Sequence, residues 1–289
     1  MTDAALHHPI AAARHTLIDA GLLSEDVALD VEVLARHVLG WDRTAFLTHL
    51  NEPVPPGFLE RFLPLVARRA HREPIAYIVG HREFWDLEFE VTPDVLIPRP
   101  ETEGLVEEAL AFARVRPAPL IIDVGTGSGC IVVSLAHELT STRFIATDIS
   151  ERALAVARRN AVAHSVADQI EFRHSDLLSG IVERADLIVS NPPYVADRDR
   201  GSLPPEVVRF EPHGALFGGY DGLAIHKQLL EGAPRALASE GRLMVELGYD
   251  QQPVVAELAA EYGWIVERVR PDLQGVPRTA VLKKAGGNG

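Results

Sequence analysis

Apolar residues recur with helical spacing through the first quarter of this 289-residue chain. One such stripe consists of Ala28, Val31, Leu34, Ala35 and Val38. A second consists of Leu59, Phe62, Leu63, Val66, Ala67 and Ala70. Gly40 follows the first stripe as the expected C-cap, and Pro64 lies inside the second, where a proline should kink a helix or move its start. We therefore predict a small helical domain over residues 1–75.

The pattern changes to strict alternation near Gly80. From Trp85 to Val91, apolar side chains alternate with acidic ones. A period of two predicts a strand with one face in water. We interpret residues 76–98 as a β-hairpin that joins the helical domain to the rest of the chain.

From residue 120 onward, short apolar strands alternate with helices. The strands are predicted at 120–124, 143–147, 170–174, 185–190, 242–247, 265–269 and 279–283, and the clearest helices at 151–164, 223–237 and 253–262. This alternation predicts an α/β domain over residues 99–284, with a mainly parallel sheet covered by helices on both faces. The last two strands have no helix between them, so we expect a terminal antiparallel hairpin.

A glycine-rich loop follows the first strand of this domain. Its residues are Gly125, Thr126, Gly127, Ser128 and Gly129. Glycines at alternate positions let the backbone turn sharply and approach a ligand, and the next helix offers free N–H groups to an anion. A dinucleotide fingerprint requires glycine where Cys130 stands, and a Walker loop requires Gly-Lys-Ser/Thr. The spacing is instead usual in S-adenosylmethionine enzymes; a tight turn without a ligand is the alternative.

Acidic residues follow the next two predicted strands. Asp148 comes 23 positions after Gly125, where a carboxylate can accept both hydroxyls of a nucleoside ribose. Asp148 could instead cap the helix that begins near Glu151. The Asp176 carboxylate can accept a hydrogen bond from an adenine amino group while Leu177 covers the adenine ring. The alternative is that Asp176 is only a solvent-exposed acid at the end of a strand. These residues complete the predicted cofactor site.

The tetrapeptide Asn191, Pro192, Pro193 and Tyr194 stands at the carboxyl end of strand 185–190, the edge where open α/β sheets bind ligands. An amide or exocyclic amino nitrogen is a poor nucleophile because its lone pair is delocalised, so both of its N–H groups must be held. The Asn191 side-chain oxygen and the Pro192 carbonyl are suitable acceptors. The prolines stiffen the loop, and Tyr194 can cover the planar acceptor. The alternative is a rigid proline turn capped by Asn191.

The overall composition narrows the partners. Twenty-eight basic against 41 acidic residues give a net charge of −13, which disfavours nucleic acid, because binding phosphates requires a basic face. No run of 18 apolar residues predicts a membrane span. The segment 1–4 lacks the features of a secretory signal, and one cysteine suits a reducing compartment, so we expect a cytoplasmic protein. The histidines lack metal-site spacing, and no metal is expected.

Taken together, the motifs resemble the peptide chain release factor glutamine methyltransferases over nearly the whole chain. The resemblance is carried by Arg-Glu-Phe-Trp at 82–85, Leu-Ile-Pro-Arg-Pro-Glu-Thr-Glu at 96–103, the loop at 123–129, the tetrapeptide at 191–194, Arg-Phe-Glu-Pro at 209–212, Glu-Leu-Gly at 246–248, Asp-Leu at 272–273 and Pro-Arg at 277–278. Asn-Pro-Pro-Tyr also occurs in DNA adenine methyltransferases, so the flanking motifs carry the specificity.

The resemblance implies a class I, Rossmann-like methyltransferase fold with a seven-stranded sheet. It implies transfer of a methyl group from S-adenosyl-L-methionine to the glutamine of the Gly-Gly-Gln motif in class I release factors, leaving S-adenosyl-L-homocysteine. By similarity, Asn191 also contacts the cofactor, Phe84 walls the glutamine pocket, and the helical domain helps to recognise the partner. Leu177 stands where some members have an aromatic residue, which weakens adenine stacking. We expect a monomer.

Three other functions are compatible with parts of this pattern. A close relative within the family methylates a glutamine of a ribosomal protein. A nucleic-acid adenine or guanine amino methyltransferase would require a basic groove and a pocket for a flipped base. A catalytically silent docking module would not require an intact tetrapeptide at 191–194.

Overall fold

The computed structural model of the protein describes residues 5–286, in which the chain forms two compact units. The segment 1–4, used for the expectation about a signal, lies outside the described residues. The smaller unit extends through Gly80 and includes the later segment Pro204–Phe210. The larger unit consists of His81–Leu203 and the chain from Glu211 onward.

The smaller unit is helical. Its first five helices are α1 (His7–Asp19), α2 (Ser24–Leu39), α3 (Arg43–Thr48), α4 (Phe58–Ala70) and α5 (Ile75–Val79). The apolar stripe of α2 is buried except for Ala28, which is exposed, and Val31 and Leu34 are fully inaccessible to solvent. Gly40 ends α2 in the left-handed conformation at φ 67°, as the sequence predicts.

Helix α4 buries only part of the predicted face. Phe58, Phe62 and Val66 enter the core at a spacing of four, whereas Leu59 and Leu63 are 40% and 52% exposed. Pro64 lies inside α4 and not at its start. The periodicity therefore predicted the helix, but the aromatic pair Phe58 and Phe62, with ring centroids 4.7 Å apart, determines which side is buried.

The hairpin begins later than predicted, and its turn lies inside the segment predicted as a strand. Residues 75–79 form α5, and the strands are β1 (His81–Phe84) and β2 (Leu87–Glu90), paired antiparallel. Trp85 and Asp86 form the turn with φ of 54° and 55°. Two consecutive positive φ values match the twist of a tight hairpin, so the prediction of one continuous strand starting at Trp85 was wrong.

The larger unit contains a mainly parallel sheet. Its strands are β3 (Leu120–Val124), β4 (Arg143–Asp148), β5 (Ile170–His174), β6 (Ala185–Ser190), β7 (Leu237–Glu246), β8 (Trp264–Pro271) and β9 (Pro277–Lys284). Within residues 5–286 these seven strands are ordered β5-β4-β3-β6-β7-β9-β8. Strands β3 to β7 run parallel, and β9 is antiparallel to both neighbours. The predicted fold class and terminal hairpin are confirmed.

Helices cover both faces of the sheet. They are α6 (Glu103–Ala113), α7 (Cys130–Glu138), α8 (Glu151–Ala163), α10 (His213–Leu216), α11 (Ala224–Ala236) and α12 (Gln252–Glu261), while α9 (Pro205–Phe210) belongs to the smaller unit. Adjacent residues of β3 enter different cores: Ile121 packs in the cluster that contains residues of α6 and α7, and Ile122 in the cluster that contains residues of α11 and α12. None of the helices within the described range is long and apolar enough to cross a bilayer.

Candidate active site

The glycine loop connects β3 to α7 and requires glycine for two reasons. Gly125, Gly127 and Gly129 have φ of 73°, 56° and 80°, a region that side chains disfavour. A Cβ on Gly129 would also lie 3.0 Å from the Ala157 Cβ on α8. A Cβ on Gly125 or Gly127 would meet no atom of the described residues within 4 Å, so the space beside the loop is open. This cradle suits a small ligand.

Two carboxylates accept hydrogen bonds from the glycine loop. Thr126 Oγ1 donates to Asp123 Oδ2 at 2.7 Å, and the Gly127 N–H donates to Asp148 Oδ2 at 2.9 Å. Asp123 is fully buried, and this burial raises the pKa of its carboxyl to about 7. We assigned no role to Asp123 from the sequence; the contact with Thr126 shows that it anchors the loop.

Asp148 does not cap the following helix. The N-cap of α8 is Ser150, whose Oγ accepts from the Ala153 N–H at 3.2 Å. Asp148 Oδ1 accepts instead from the Ser150 N–H at 2.8 Å. Burial raises the pKa of Asp148, while the N–H groups of Ser150 and Gly127 oppose that rise. Its carboxylate, half-buried at the end of β4, is thus fixed beside the glycine loop, where the ribose prediction needs it.

Asp176 and Leu177 follow the third parallel strand, β5, and line a cavity of about 450 Å³ together with residues of α11. Asp176 is exposed and Leu177 half-buried. The Leu177 backbone has φ 49°, an uncommon value for leucine. The ends of β3, β4 and β5 therefore supply a glycine cradle, a fixed carboxylate and an open cavity along one edge. These groups fit a nucleoside with a charged tail.

Asn191 extends from β6 with its amide already oriented. Its Nδ2 donates to Thr102 Oγ1 at 3.0 Å, and Thr102 is 1% exposed. One step earlier, Ser190 Oγ donates to the Val124 carbonyl at 2.8 Å and ties the end of β6 to that of β3. With Nδ2 engaged, the amide oxygen is the group left to accept from another molecule. No role for Thr102 or Ser190 follows from their positions in the sequence.

The backbone of the tetrapeptide rests on a second glycine-rich loop. A Cβ on Gly218 would lie 2.4 Å from the Pro193 oxygen, and a Cβ on Gly222 would lie 2.3 Å from the Tyr194 oxygen. Gln251 Nε2 donates to the Tyr194 oxygen at 3.0 Å. Only glycine permits this approach, so the loop over residues 218–222 supports the tetrapeptide.

Charged groups surround the Tyr194 phenol. Burial, followed by the charge of Glu246, raises the pKa of Tyr194, so the phenol stays protonated near neutral pH. Glu246 ends β7 and is 1% exposed; its burial raises the pKa of the carboxyl to about 7. Among the described residues, no hydrogen bond of ordinary geometry reaches its carboxylate oxygens, although the Thr102 and Tyr194 hydroxyls are near enough to lower that pKa.

The proline-rich motif before α6 is fixed by one buried acid. Glu211, 3% exposed, accepts from the Arg99 guanidinium at 2.5 Å and from the Ile97 N–H at 3.2 Å. The motif at 96–103 is thus tied to the motif at 209–212, and it brings Thr102 to Asn191. Two motifs that are far apart in the sequence therefore support one amide.

Phe84 and Cys130 lie in packed surroundings. Phe84 is 2% exposed and packs in the sheet core, with its ring centroid 6.1 Å from that of Phe89. Its role beside a glutamine stays a prediction. Burial raises the pKa of the Cys130 thiol to about 12, which leaves it protonated and a poor nucleophile. Over residues 5–286, no group of three or more potential metal-ligating side chains comes together.

Two family models match the chain. The model of the PrmC N-terminal domain matches residues 10–80, and the model of the methyltransferase small domain matches residues 109–208. The chain is 45% identical to a release factor glutamine methyltransferase of Cereibacter sphaeroides, over 92% of this chain and 94% of that protein. It is 43% identical to one of Burkholderia pseudomallei, over 88% and 90%.

Solved structures share the fold at lower identity. A methyltransferase from Pyrococcus furiosus matches with a TM-score of 0.53 and 20% identity, over 76% of this chain and 97% of that one. The hMettl16 catalytic domain, in complex with an MAT2A 3'UTR hairpin, matches with a TM-score of 0.57 and 21% identity, over 78% and 83%. These similarities show a methyltransferase fold.

Proposed function

We propose, from the premise that this chain belongs to the release factor glutamine methyltransferase family, that it methylates the side-chain nitrogen N5 of a glutamine in another protein. The acceptor that we propose is the glutamine of the Gly-Gly-Gln motif in class I peptide chain release factors. The observation that carries the proposal is the Asn191 amide, held by Thr102 at the end of β6 with its oxygen free to accept. An acceptor with two amide N–H groups matches such a site.

The cofactor of this reaction is S-adenosyl-L-methionine, and the loop Gly125, Thr126, Gly127, Ser128 and Gly129 would hold its charged tail. Asp148 would accept the ribose hydroxyls, and Asp176 with Leu177 would contact the adenine. When bound, the cofactor supplies an electrophilic methyl group on a sulfonium and leaves as S-adenosyl-L-homocysteine. The positive φ values of the three loop glycines and the open space beside them support this assignment.

The tetrapeptide would bind and orient the acceptor amide. Asn191 Oδ1 and the Pro192 carbonyl accept its two N–H groups and so point the nitrogen lone pair toward the methyl group. Pro193 stiffens the loop, and the neutral Tyr194 phenol covers the planar amide and excludes water. The rate then comes from alignment, for which proximity and orientation supply a large part of the barrier reduction. The amide nitrogen loses its proton after it is methylated.

The helical unit would recognise the partner protein. Its match to the PrmC N-terminal domain, over residues 10–80, supports a role particular to this family. We also propose that the enzyme acts as a cytoplasmic monomer without direct contact to nucleic acid; the net charge of −13 and the presence of a single cysteine support this. If the helical unit recognises the partner, KM should be lower for an intact release factor than for a short Gly-Gly-Gln peptide.

The test is a transfer assay with labelled S-adenosylmethionine and three acceptors. These are an unmethylated class I release factor, the ribosomal protein substrate of the sister enzymes, and duplex DNA. We expect mass spectrometry to find one methyl on the Gly-Gly-Gln glutamine, and none on a release factor in which that glutamine is replaced by alanine. Label on the ribosomal protein or DNA alone would overturn the proposed partner, and no label on any acceptor would favour a silent docking module.

A further inference from the structure

A buried carboxylate lies next to the amide that the reaction depends on. Ser190 of β6 pairs with Val245 of β7, so Asn191 and Glu246 are the next residues on neighbouring parallel strands. Glu246 is 1% exposed, although burial disfavours its charged form. The reaction outlined above assigns it no proton to transfer, so its presence requires another explanation.

Thr102 stands between these two side chains. Its Oγ1 accepts from Asn191 Nδ2 at 3.0 Å, so its one hydroxyl hydrogen must go to another acceptor. The Glu246 carboxylate is the available acceptor: neither of its oxygens has a hydrogen-bond partner among the described residues, and the Thr102 hydroxyl is near enough to lower the pKa of that carboxyl. An ionised carboxylate can only accept. An ionised Glu246 therefore determines both directions: the Thr102 hydroxyl donates to Glu246, and Asn191 Nδ2 donates to Thr102.

The opposite orientation of the Asn191 amide would leave two hydrogen-bond acceptors, the Thr102 oxygen and the Glu246 carboxylate, facing each other. If the Asn191 amide were turned over, its oxygen would face Thr102, and Thr102 would have to donate its hydrogen to Asn191. The Thr102 oxygen lone pairs would then face the Glu246 carboxylate. This arrangement would leave a buried charge without a donor at that position, which is costly. An ionised Glu246 thus excludes the flipped amide.

We propose that Glu246 is a positioning residue that acts through Thr102 to keep Asn191 Oδ1 turned toward the acceptor amide. The identity of that acceptor rests on the proposed function; the orientation of the amide does not. A flipped Asn191 would present two N–H groups to an acceptor nitrogen that also carries two. The acceptor amide would lose one of the two oxygens that hold its N–H groups, so its nitrogen would no longer be aligned.

The same arrangement makes the site sensitive to pH. The groups that act on the Glu246 carboxylate are Thr102 and Glu101 before α6, Tyr194 after β6 and Arg278 on β9, while His226 of α11 lies at hydrogen-bond distance from the Glu246 main-chain oxygen. Burial raises the pKa of Glu246 to about 7, and Arg278 with the two hydroxyls opposes that rise. A protonated Glu246 can donate to Thr102, which then can donate to Asn191. The amide orientation is therefore expected to loosen as the pH falls below about 7.

The test compares Thr102→Val, Thr102→Ser and Glu246→Gln with the wild-type enzyme, with Glu240→Gln as a control at an exposed glutamate of the same strand. We expect Thr102→Val and Glu246→Gln to lower kcat for the release factor by about 10- to 100-fold, since loss of alignment has effects of that size. KM should stay within about threefold, and Thr102→Ser should recover most of the rate. The double variant should be no slower than the slower single variant, because both changes break one network.

A second measurement works without any acceptor. The side-chain NH₂ resonances of Asn191, assigned by their absence in Asn191→Asp, should shift with a midpoint near pH 7 in the wild-type protein and stay constant in Glu246→Gln. Wild-type kcat in Thr102→Val and Glu246→Gln, or Asn191 resonances that do not respond to pH, would overturn the inference. If the wild-type enzyme fails to methylate a release factor, the proposed function fails, and the resonances still decide the positioning role. They also decide it if a variant does not fold.

Discussion

Replacing Glu246 with glutamine should change the free energy of unfolding in a pH-dependent way. The difference between the variant and wild type should favour the variant more at high pH than at low pH. The carboxyl is 1% exposed, and burial raises its pKa to about 7 from an ordinary value of 4.5. The folded protein thus holds this proton more tightly than the unfolded chain. Between these two values the folded state binds more protons, so the free energy of unfolding falls as the pH rises.

The magnitude follows from the two pKa values. One pKa unit corresponds to about 1.4 kcal/mol, so complete ionisation of Glu246 costs the folded state about 3 kcal/mol above pH 7. At pH 5 most of that cost is absent, because the folded carboxyl is still protonated. The stability difference between Glu246→Gln and wild type should therefore shift by about 2 to 3 kcal/mol in favour of the variant from pH 5 to pH 8. Asp123, with a pKa also raised to about 7, is present in both proteins and cancels.

The assay is urea unfolding at a series of pH values, followed by fluorescence of the larger unit alone. The chain has three tryptophans, and Trp264 is buried in the larger unit with its Nε1 donating to the Leu230 carbonyl at 2.9 Å. Replacing Trp41 and Trp85 with phenylalanine in every protein tested leaves Trp264 as the reporter. The change with pH is the measured quantity, because the glutamine amide itself adds a constant offset.

The exposed Glu240 provides the control. Glu240→Gln, on the same strand, should give a curve parallel to that of wild type across the whole range. Parallel curves for Glu246→Gln and wild type between pH 5 and 8 would refute the reasoning, since they would mean that the carboxyl ionises as easily in the fold as in the unfolded chain.

Three further results are expected. Asn191→Ala should lower kcat by about 100-fold or more while Tm stays close to wild type, since it removes an acceptor that aligns the substrate; retained transfer in a methylation assay would contradict the mechanism. Gly222→Ala and Gly263→Ala should add the same backbone strain, about 1–3 kcal/mol, because the two glycines have φ of 76° and 75°. Of these two variants, only Gly222→Ala places the new Cβ against a backbone oxygen, that of Tyr194, at 2.3 Å. Only Gly222→Ala should therefore reduce kcat, and equal kinetics would show that the loop tolerates the clash. Cys130, with a pKa raised to about 12, should react with a thiol reagent at pH 8 at least about 100-fold faster in urea than in the folded protein; similar rates would show an accessible thiolate.

The sequence predicted the sheet well because its signals are local. Strand limits at β3, β5 and β6 coincide with the predicted ones, since each is a short apolar run with clear ends. Local signals failed where a turn or a packing choice decided the outcome. Trp85 continues an alternating pattern, but it adopts the φ of a hairpin turn. Leu59 extends a helical stripe, yet packing of Phe58 against Phe62 leaves it exposed.

The active site shows the same division between local and long-range information. The glycine loop and the tetrapeptide were predictable because each is a continuous motif. Thr102 and Glu246 were not, because they lie 89 and 55 positions away from Asn191 in the chain, and no spacing rule connects them to it. Both residues belong to motifs that the family resemblance included. The resemblance assigned no role to either residue. The hydrogen bond from Asn191 shows one for Thr102, and the role of Glu246 is the one proposed above.

Stability and catalysis should respond to Glu246 in opposite directions, and this separates a functional role from a structural one. A carboxylate retained for stability would, when replaced by glutamine, weaken the fold and the reaction together. A carboxylate that costs the fold about 3 kcal/mol when ionised should, when replaced, favour the fold above pH 7 and still slow transfer. The charge is then explained by what it does to Thr102 and, through it, to the amide of Asn191. A residue without contact to cofactor or acceptor would thereby determine which atom of the active-site amide the substrate meets.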